Sequence, residues 1–321
     1  MLGQAGTVGT RAAVSQRLSR RAFVFQTLAA GVGVLAARGR TQTRMPFVSL
    51  NGSLTGKIEW TEFVRLAGRV GYGGVDVNLE AARRHGAEET RALLGEAKVK
   101  PTVASLPVRF AGDEAAYRDG LGQLPEVAAF LAEIGCPRMM AVMPPSSATP
   151  KVELRKLVKD RLTEISAILL RSKIRLALEF LGPLHFRTRQ PHEFIWRMDE
   201  LLELTQECGP NAGMVLDAWH WHHAGATAAD ILEAGTARIF HVHVSDAKAQ
   251  PPEDVRDNQR LMPGEGVIDL TTFFQALKKI GYADGISPEP LGRVTPDMPA
   301  EQGARLGLET TLAAMKKAGV L

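Results

Sequence analysis

The sequence predicts a single (β/α)8 barrel, the closed parallel α/β fold known as a TIM barrel, preceded by an export signal. Three observations carry this reading. From Pro46 onward, short apolar runs alternate eight times with longer amphipathic segments. Such alternation over about 275 residues suits a closed barrel, whose usual size is ~250 residues. No low-complexity linker divides the chain after residue 45, so residues 46–321 count as one domain. The loop after the first apolar run, Asn51-Gly52-Ser53-Leu54-Thr55-Gly56, holds no G-x-G-x-x-G opening a helix, which removes the main sign of a doubly wound open sheet.

Taken in order, the strands are predicted at Phe47–Leu50, Gly74–Asn78, Pro101–Ser105, Met139–Met143, Ile174–Phe180, Ala212–Asp217, Ile239–Val244 and Gly285–Glu289. Each is a short, largely apolar run, as expected of parallel strands buried on both faces. Helices are predicted around Glu59–Val70, Ala87–Ala97, Tyr117–Ile134, Val152–Arg171, Pro191–Thr205, Ala228–Glu233, Leu270–Ile280 and Pro299–Ala318. Gly71, Gly135, Gly281 and Gly319 stand where a chain leaves a helix through a left-handed residue.

Residues 1–45 read differently. They hold seven Arg, no Lys and no acid. Ser19-Arg20-Arg21-Ala22-Phe23-Val24 precedes a small-residue apolar stretch, Thr27 to Ala37, long enough for a signal core and too short to span a bilayer as a mature helix. The Arg pair resembles a twin-arginine signal. The expectation is therefore export through the twin-arginine machinery to the periplasm or beyond, with cleavage between Ala36 and Gln42 and no stable membrane span in the mature protein.

The leader also explains the charge. The whole chain carries a formal +4, whereas residues 46–321 hold 32 basic against 35 acidic side chains, a balance of −3. That balance argues against a nucleic-acid partner. Cys136 and Cys208 fit no metal or redox spacing and read as small packing residues. Nothing in the sequence reports an oligomeric state.

The chemistry gathers in the second half. In a (β/α)8 barrel the carboxyl ends of all strands face one mouth, so strand-end residues converge although distant in sequence. Glu179, Asp217, His243 and Glu289 end predicted strands five to eight. Three carboxylates and one imidazole suit Mn²⁺, Mg²⁺, Co²⁺ or Fe²⁺ better than a structural Zn²⁺ site, which leans on Cys and His. His241 and His243 share a strand face; one ligates while the other orients it or lines the mouth. His220, three residues after Asp217 across a strand-to-loop exit, is placed to meet a substrate oxygen. Trp221, His222 and His223 read either as pocket walls or as a polar loop. Arg260, held by the Pro263-Gly264 turn, is placed to reach substrate hydroxyls or a developing negative charge.

Together, Leu178-Glu179, Leu216-Asp217-x-x-His220, His241-x-His243, Arg260-x-x-Pro263-Gly264-x-Gly266 and Glu289-Pro290 resemble the xylose isomerase-like sugar isomerase/epimerase superfamily, and within it the ketose 3-epimerase type. The resemblance implies that Glu179, Asp217, His243 and Glu289 bind one divalent ion, with Mn²⁺ first and Mg²⁺, Co²⁺, Fe²⁺ or Zn²⁺ behind it. It implies that Glu179 and Glu289 are also the catalytic acid/base pair, and that His220, Arg260, His241 and Asp76 meet a small carbohydrate. Two positions depart from the pattern: Phe180 replaces a Pro common after the strand-five Glu, and Asp76 stands where a Glu often sits.

The implied reaction is isomerisation or epimerisation of a ketose or keto-sugar through a cis-enediolate, with proton return deciding the product. Three other readings share the fold. A lyase, dehydratase or deglycosylase on an oxidised glycoside would use the same enolising chemistry. A non-catalytic exported sugar-binding barrel would lack the acid/base pair, which is intact here. An abasic-DNA endonuclease would need a basic groove.

Overall fold

Eight strands pair in parallel and in sequence order: β1 (Phe47–Leu50), β2 (Gly74–Val77), β3 (Lys100–Ser105), β4 (Arg138–Val142), β5 (Arg175–Glu179), β6 (Ala212–Asp217), β7 (Ile239–Val244) and β8 (Gly285–Pro288). Pairing of Phe47 with Gly285 and of Val48 with Ile286 joins β8 to β1 and closes the barrel. The structure, a computed structural model, describes residues 45–321. The twin-arginine signal expected in residues 1–45 thus falls, except for Met45, outside the described residues.

Every predicted strand is present, with ends displaced by one residue at most. The outer ring consists of α1 (Trp60–Val70), α3 (Ala87–Ala97), α4 (Glu114–Glu133), α5 (Lys151–Arg171), α7 (Met198–Cys208), α9 (Ala228–Arg238), α10 (Leu270–Lys279) and α11 (Ala300–Lys317). Short helices α2 (Leu79–His85), α6 (Leu184–Arg187) and α8 (Ala218–His223) were not apparent in the periodicity; they sit in the loops after β2, β5 and β6. Gly71, Gly135, Gly281 and Gly319 all have positive φ, as helix exits require.

Three expectations need correction. The helix predicted from Pro191 starts only at Met198. Before it, His192–Glu193 pairs antiparallel with Ser146–Ser147, and the Phe194 N–H donates to the Pro145 carbonyl at 2.8 Å. Backbone donors committed to that pairing cannot serve a helix. The helix predicted to stop at Glu233 runs on to Arg238 across a non-helical Gly235. The segment after Asp217 is a helix rather than a loop, because the Asp217 carboxylate accepts the Trp219 N–H at 2.7 Å and caps it.

The main core lies between strands and ring helices, where Leu50, Val64, Leu124, Leu178, Leu216, Val242 and Phe273 are wholly enclosed. Burial of each such side chain contributes ~1.5–3 kcal/mol. A smaller apolar cluster, Ala177, Val215 and Phe240 with Met140 against it, is separate from that core. Ala177 and Val215 precede Glu179 and Asp217 by two residues, so each pair shares a strand face. Apolar packing therefore supports the strand ends from below. Cys136 and Cys208 are buried free thiols, as their sequence context suggested.

Candidate metal centre and active site

Glu179, Asp217, His243 and Glu289 each offer one ligand atom, and the four atoms lie within 4.8 Å of one another. Glu179 and Asp217 close their strands, His243 sits one residue from the end of β7, and Glu289 follows β8 directly. Glu179, Asp217 and His243 are buried, and the Glu289 side chain is 19% exposed. His243 Nδ1 lies 3.1 Å from Glu179 Oε1 and 3.6 Å from Glu289 Oε2.

Three carboxylates crowded into a buried site repel one another, and their surroundings show the strain. Burial raises Glu289 above its ordinary range; His243 and Arg260 draw it back only partly, while Glu179 and Asp217 push it further up. Burial alone would lower His243, yet the carboxylates of Glu289 and Glu179 overcome it and raise the imidazole to about 10. A divalent cation among these atoms would satisfy both effects. The oxygen-rich donor set with one ring nitrogen thus fits such an ion.

Arg260 reaches the same cluster from the loop after β7. Its Nη1 donates to Asp217 Oδ2 at 2.6 Å and to Glu289 Oε2 at 3.1 Å. Its Nε and Nη2 donate to Asp257 Oδ1 at 2.9 and 2.7 Å, and the guanidinium lies 4.6 Å from the centre of the Trp219 ring. The side chain is 2% exposed. Arg260 is thus an integral part of the cluster as well as a cation facing the mouth.

His220 projects from α8 with its Nε2 3.1 Å from Arg260 Nη2. An always-protonated guanidinium must donate there, so Nε2 is the bare nitrogen and Nδ1 carries the hydrogen. Burial pulls its pKa down to about 4, which keeps the ring neutral. His241 is also fully enclosed; burial lowers it well below the ordinary value, and its Nε2 meets Ser287 Oγ at 2.9 Å. Asp76 lies on β2 among hydroxyls, 3.7 Å from His241 Nε2. The structure therefore brings all eight predicted site residues to one mouth.

Sequence reasoning missed Asp246, just beyond β7. Its buried carboxylate accepts the N–H groups of Ala247, Gly264, Gly266 and Ile268 at 2.8–3.0 Å. Leu261 and Asp246 also pair backbone to backbone. The Pro-Gly-x-Gly motif now has a reason. Gly264 has a φ of 91°, and a Cβ on Gly266 would run into the Ala247 carbonyl and the Asp246 carboxylate. Those contacts fix the loop that presents Arg260.

Two cavities open among the loops that follow β2, β3 and β4. One, of about 1030 Å³, is lined by Trp60, Phe63, Asp76 and Leu106 among others. The other, of about 620 Å³, is lined by Arg109, Phe110, Met143, Pro144 and Leu181 among others. The loops after β3 and β4 thus supply cavity walls.

A closed barrel whose last four strands bring three carboxylates and an imidazole to the carboxyl-terminal mouth defines a class of (β/α)8 proteins with a candidate divalent-metal site. The chain belongs to the xylose isomerase-like TIM barrel family, whose model matches residues 64–314. It is 26% identical to the inosose isomerase of Halalkalibacterium halodurans over 241 residues, 74% of this chain and 83% of that protein. It is 28% identical to the inosose isomerase of Bacillus velezensis over 222 residues, 68% of this chain and 77% of that one. Among solved structures, a xylose isomerase domain protein from Alicyclobacillus acidocaldarius superposes with a TM-score of 0.78 at 27% identity, covering 85% of this chain and 99% of its own. The IolI protein with a bound zinc atom superposes with a TM-score of 0.73 at 24% identity, covering 85% and 99%.

Proposed function

We propose that this protein is a divalent-metal-dependent sugar isomerase or epimerase that moves a proton through a cis-enediolate on a ketose or keto-sugar. The observation that carries the reading is the meeting of Glu179 and Glu289 at one nitrogen of His243, at 3.1 and 3.6 Å, inside a four-ligand cluster. The inosose isomerases among its relatives support an isomerase, and a cyclic polyhydroxy ketone joins the open-chain ketoses as a substrate class.

Glu179, Asp217, His243 and Glu289 would hold the ion. Bound there, a divalent cation polarises a hydroxy-carbonyl and stabilises the charge that develops on deprotonation. The protein's own groups do the rest. Glu289, whose side chain is 19% exposed while the other three are buried, would exchange a proton with a substrate held at the mouth. Glu179 is the second carboxylate, so removal and return of the proton can be divided between two groups. Proton return to the same carbon gives an epimer; return to its neighbour gives the aldose–ketose isomer. Neutral His220 offers its Nδ1–H as a donor, and Arg260 faces the charge of the enediolate.

Metal analysis of the purified protein, combined with solvent-deuterium exchange into free ketoses, inososes and 3-keto-glycosides, tests this reading. Deuterium at a single carbon next to the carbonyl supports it and locates the enolised position. Bound metal without exchange in any of them would favour a binding protein, and an eliminated product would favour a lyase. Export by the twin-arginine machinery belongs to the same proposal and is supported by Arg20-Arg21 ahead of Thr27–Ala37. Cell fractionation of wild type against an Arg20→Lys/Arg21→Lys double variant tests it; equal recovery outside the cytoplasm would refute it.

A further inference from the structure

Beside the four ligands the barrel holds a layer of hydroxyl groups that the proposed reaction does not use. Asp76 Oδ1 lies 2.9 Å from Ser49 Oγ, 2.7 Å from Thr102 Oγ1 and 2.8 Å from Ser287 Oγ, and Thr102 Oγ1 is also 2.8 Å from the Val75 carbonyl and from Ser49 Oγ. Asp76 Oδ2 accepts from Asn51 Nδ2 at 2.9 Å. Ser49, Thr102 and Ser287 come from three different strands, β1, β3 and β8, and all are buried. Such a network is maintained only if its members are satisfied.

Hydrogen counting fixes its direction at Ser287. A hydroxyl carries one hydrogen, and an ionised carboxylate can only accept. The Ser287 hydrogen goes to Asp76, so Ser287 must accept in its 2.9 Å bond with His241 Nε2. His241 therefore bears its hydrogen on Nε2, and its Nδ1 is bare. For His243 the same reasoning runs from the other side. Its Nδ1 faces Glu179 and Glu289 and is the nitrogen that would ligate, which leaves the hydrogen on Nε2.

The two remaining ring atoms are complementary. His243 Nε2 is a donor and His241 Nδ1 an acceptor; both are buried, and neither has a hydrogen-bond partner. The rings stand 5.2 Å apart at 87°, and a nitrogen of each lies within 4.8 Å of the other and of an Asp76 oxygen. One bridging water would join them without disturbing the bonds that His241 Nε2 and His243 Nδ1 already make. Ligating histidines commonly donate their second N–H to a group that holds the ring in place.

Resting on the assignment of His243 as a metal ligand, we propose that His241, Ser287 and Asp76 form a buried hydrogen-bonded chain that fixes the orientation and the protonated nitrogen of His243. Asp76 and His241 are then positioning residues for the metal centre rather than sugar contacts. The same three groups, Asp76, His241 and His243, also have the spacing of a second cation site. The Ser287 hydrogen committed to Asp76 Oδ1 favours the chain over that site.

The test uses the full-length protein loaded with Zn²⁺ and labelled with ¹⁵N in its histidine rings, so that long-range proton–nitrogen NMR reads each ring. The expected result is His241 protonated at Nε2 with a bare Nδ1, and His243 metal-bound through Nδ1 with its hydrogen on Nε2. Competition with a chelator should show Zn²⁺ affinity falling ~10–100-fold in Asp76→Asn and severalfold in Ser287→Ala. The melting temperature of the metal-free variants should stay within about 3 °C of wild type, a shift worth roughly 1 kcal/mol at this chain length. A merely structural role would lower affinity and metal-free stability together. His241 protonated at Nδ1, unchanged affinity in Asp76→Asn, or two Zn²⁺ per chain would overturn the chain. A protein that binds no Zn²⁺ at all would instead sink the metal-centre reading on which it rests.

Discussion

Arg260 and Asp217 form a buried ion pair, Nη1 to Oδ2 at 2.6 Å, between residues 43 positions apart. Burial alone would raise the Asp217 carboxyl, but Arg260, with help from His220 and His243, holds it down to about 2. The guanidinium that sequence reasoning assigned to substrate is thus also the counter-charge of Asp217, a candidate metal ligand. Its position makes the cluster tolerable before any cation arrives.

Arg260→Leu is therefore expected to destabilise the metal-free protein by about 3–5 kcal/mol, since removing one partner strands a buried charge. Added Mn²⁺ should recover much of that loss by replacing the missing positive charge. Urea unfolding with and without metal measures both effects. An equal loss in the two conditions would separate Arg260 from the metal centre.

Glu179→Gln and Glu289→Gln should each abolish turnover in protein confirmed to be metal-loaded. Positioned acid/base groups typically supply ~10²–10⁴-fold in rate, so a loss of at least two orders of magnitude is expected from either. Steady-state assay on the substrate found by deuterium exchange provides the measurement. Near-normal activity in either variant would sink the two-carboxylate model.

Gly266→Ala should displace the loop carrying Arg260, because the added methyl has no room beside Asp246 and Ala247. A cost of about 1–3 kcal/mol is expected, together with a fall in activity. Asp246→Ala, which leaves four backbone N–H groups without their acceptor, should reproduce both effects. Thermal melts and activity assays on the pair check the prediction; a fully stable, fully active Gly266→Ala would refute it.

His220 predicts a pH signature in the chelated protein. Its folded pKa of about 4 lies below the ordinary histidine value of 6.5, so between those values the unfolded chain binds the extra proton. The stability contributed by neutral His220 is present above pH 6.5 and is lost as pH falls toward 4. In His220→Gln the slope of unfolding free energy against pH across that window should decrease by close to one proton. An unchanged slope would show that His220 titrates normally in the folded state.

Legibility differed by type of feature. Parallel strands buried on both faces appear as apolar runs, and glycine marks helix exits, so β1 to β8 and most ring helices were readable within a residue or so. Strand order then placed Glu179, Asp217, His243 and Glu289 at one mouth. Helix α8 was not readable, because six residues rich in His and Trp show no helical period and its cap is the strand-ending Asp217. The hairpin of Ser146–Ser147 with His192–Glu193 was hidden because its halves lie 45 residues apart.

The sequence by itself determined the barrel and brought Glu179, Asp217, His243 and Glu289 to its mouth, because each depends on local periodicity or on which residue ends a strand. Only the tertiary structure decided that Arg260 pairs with Asp217, that Asp246 anchors the Arg260 loop, and that Ser49, Thr102 and Ser287 converge on Asp76. Those relationships join separate strands and loops through the direction of single hydrogen bonds. Spacing along a chain determines which strand face a residue occupies; it carries no record of which neighbour across the barrel will accept its proton.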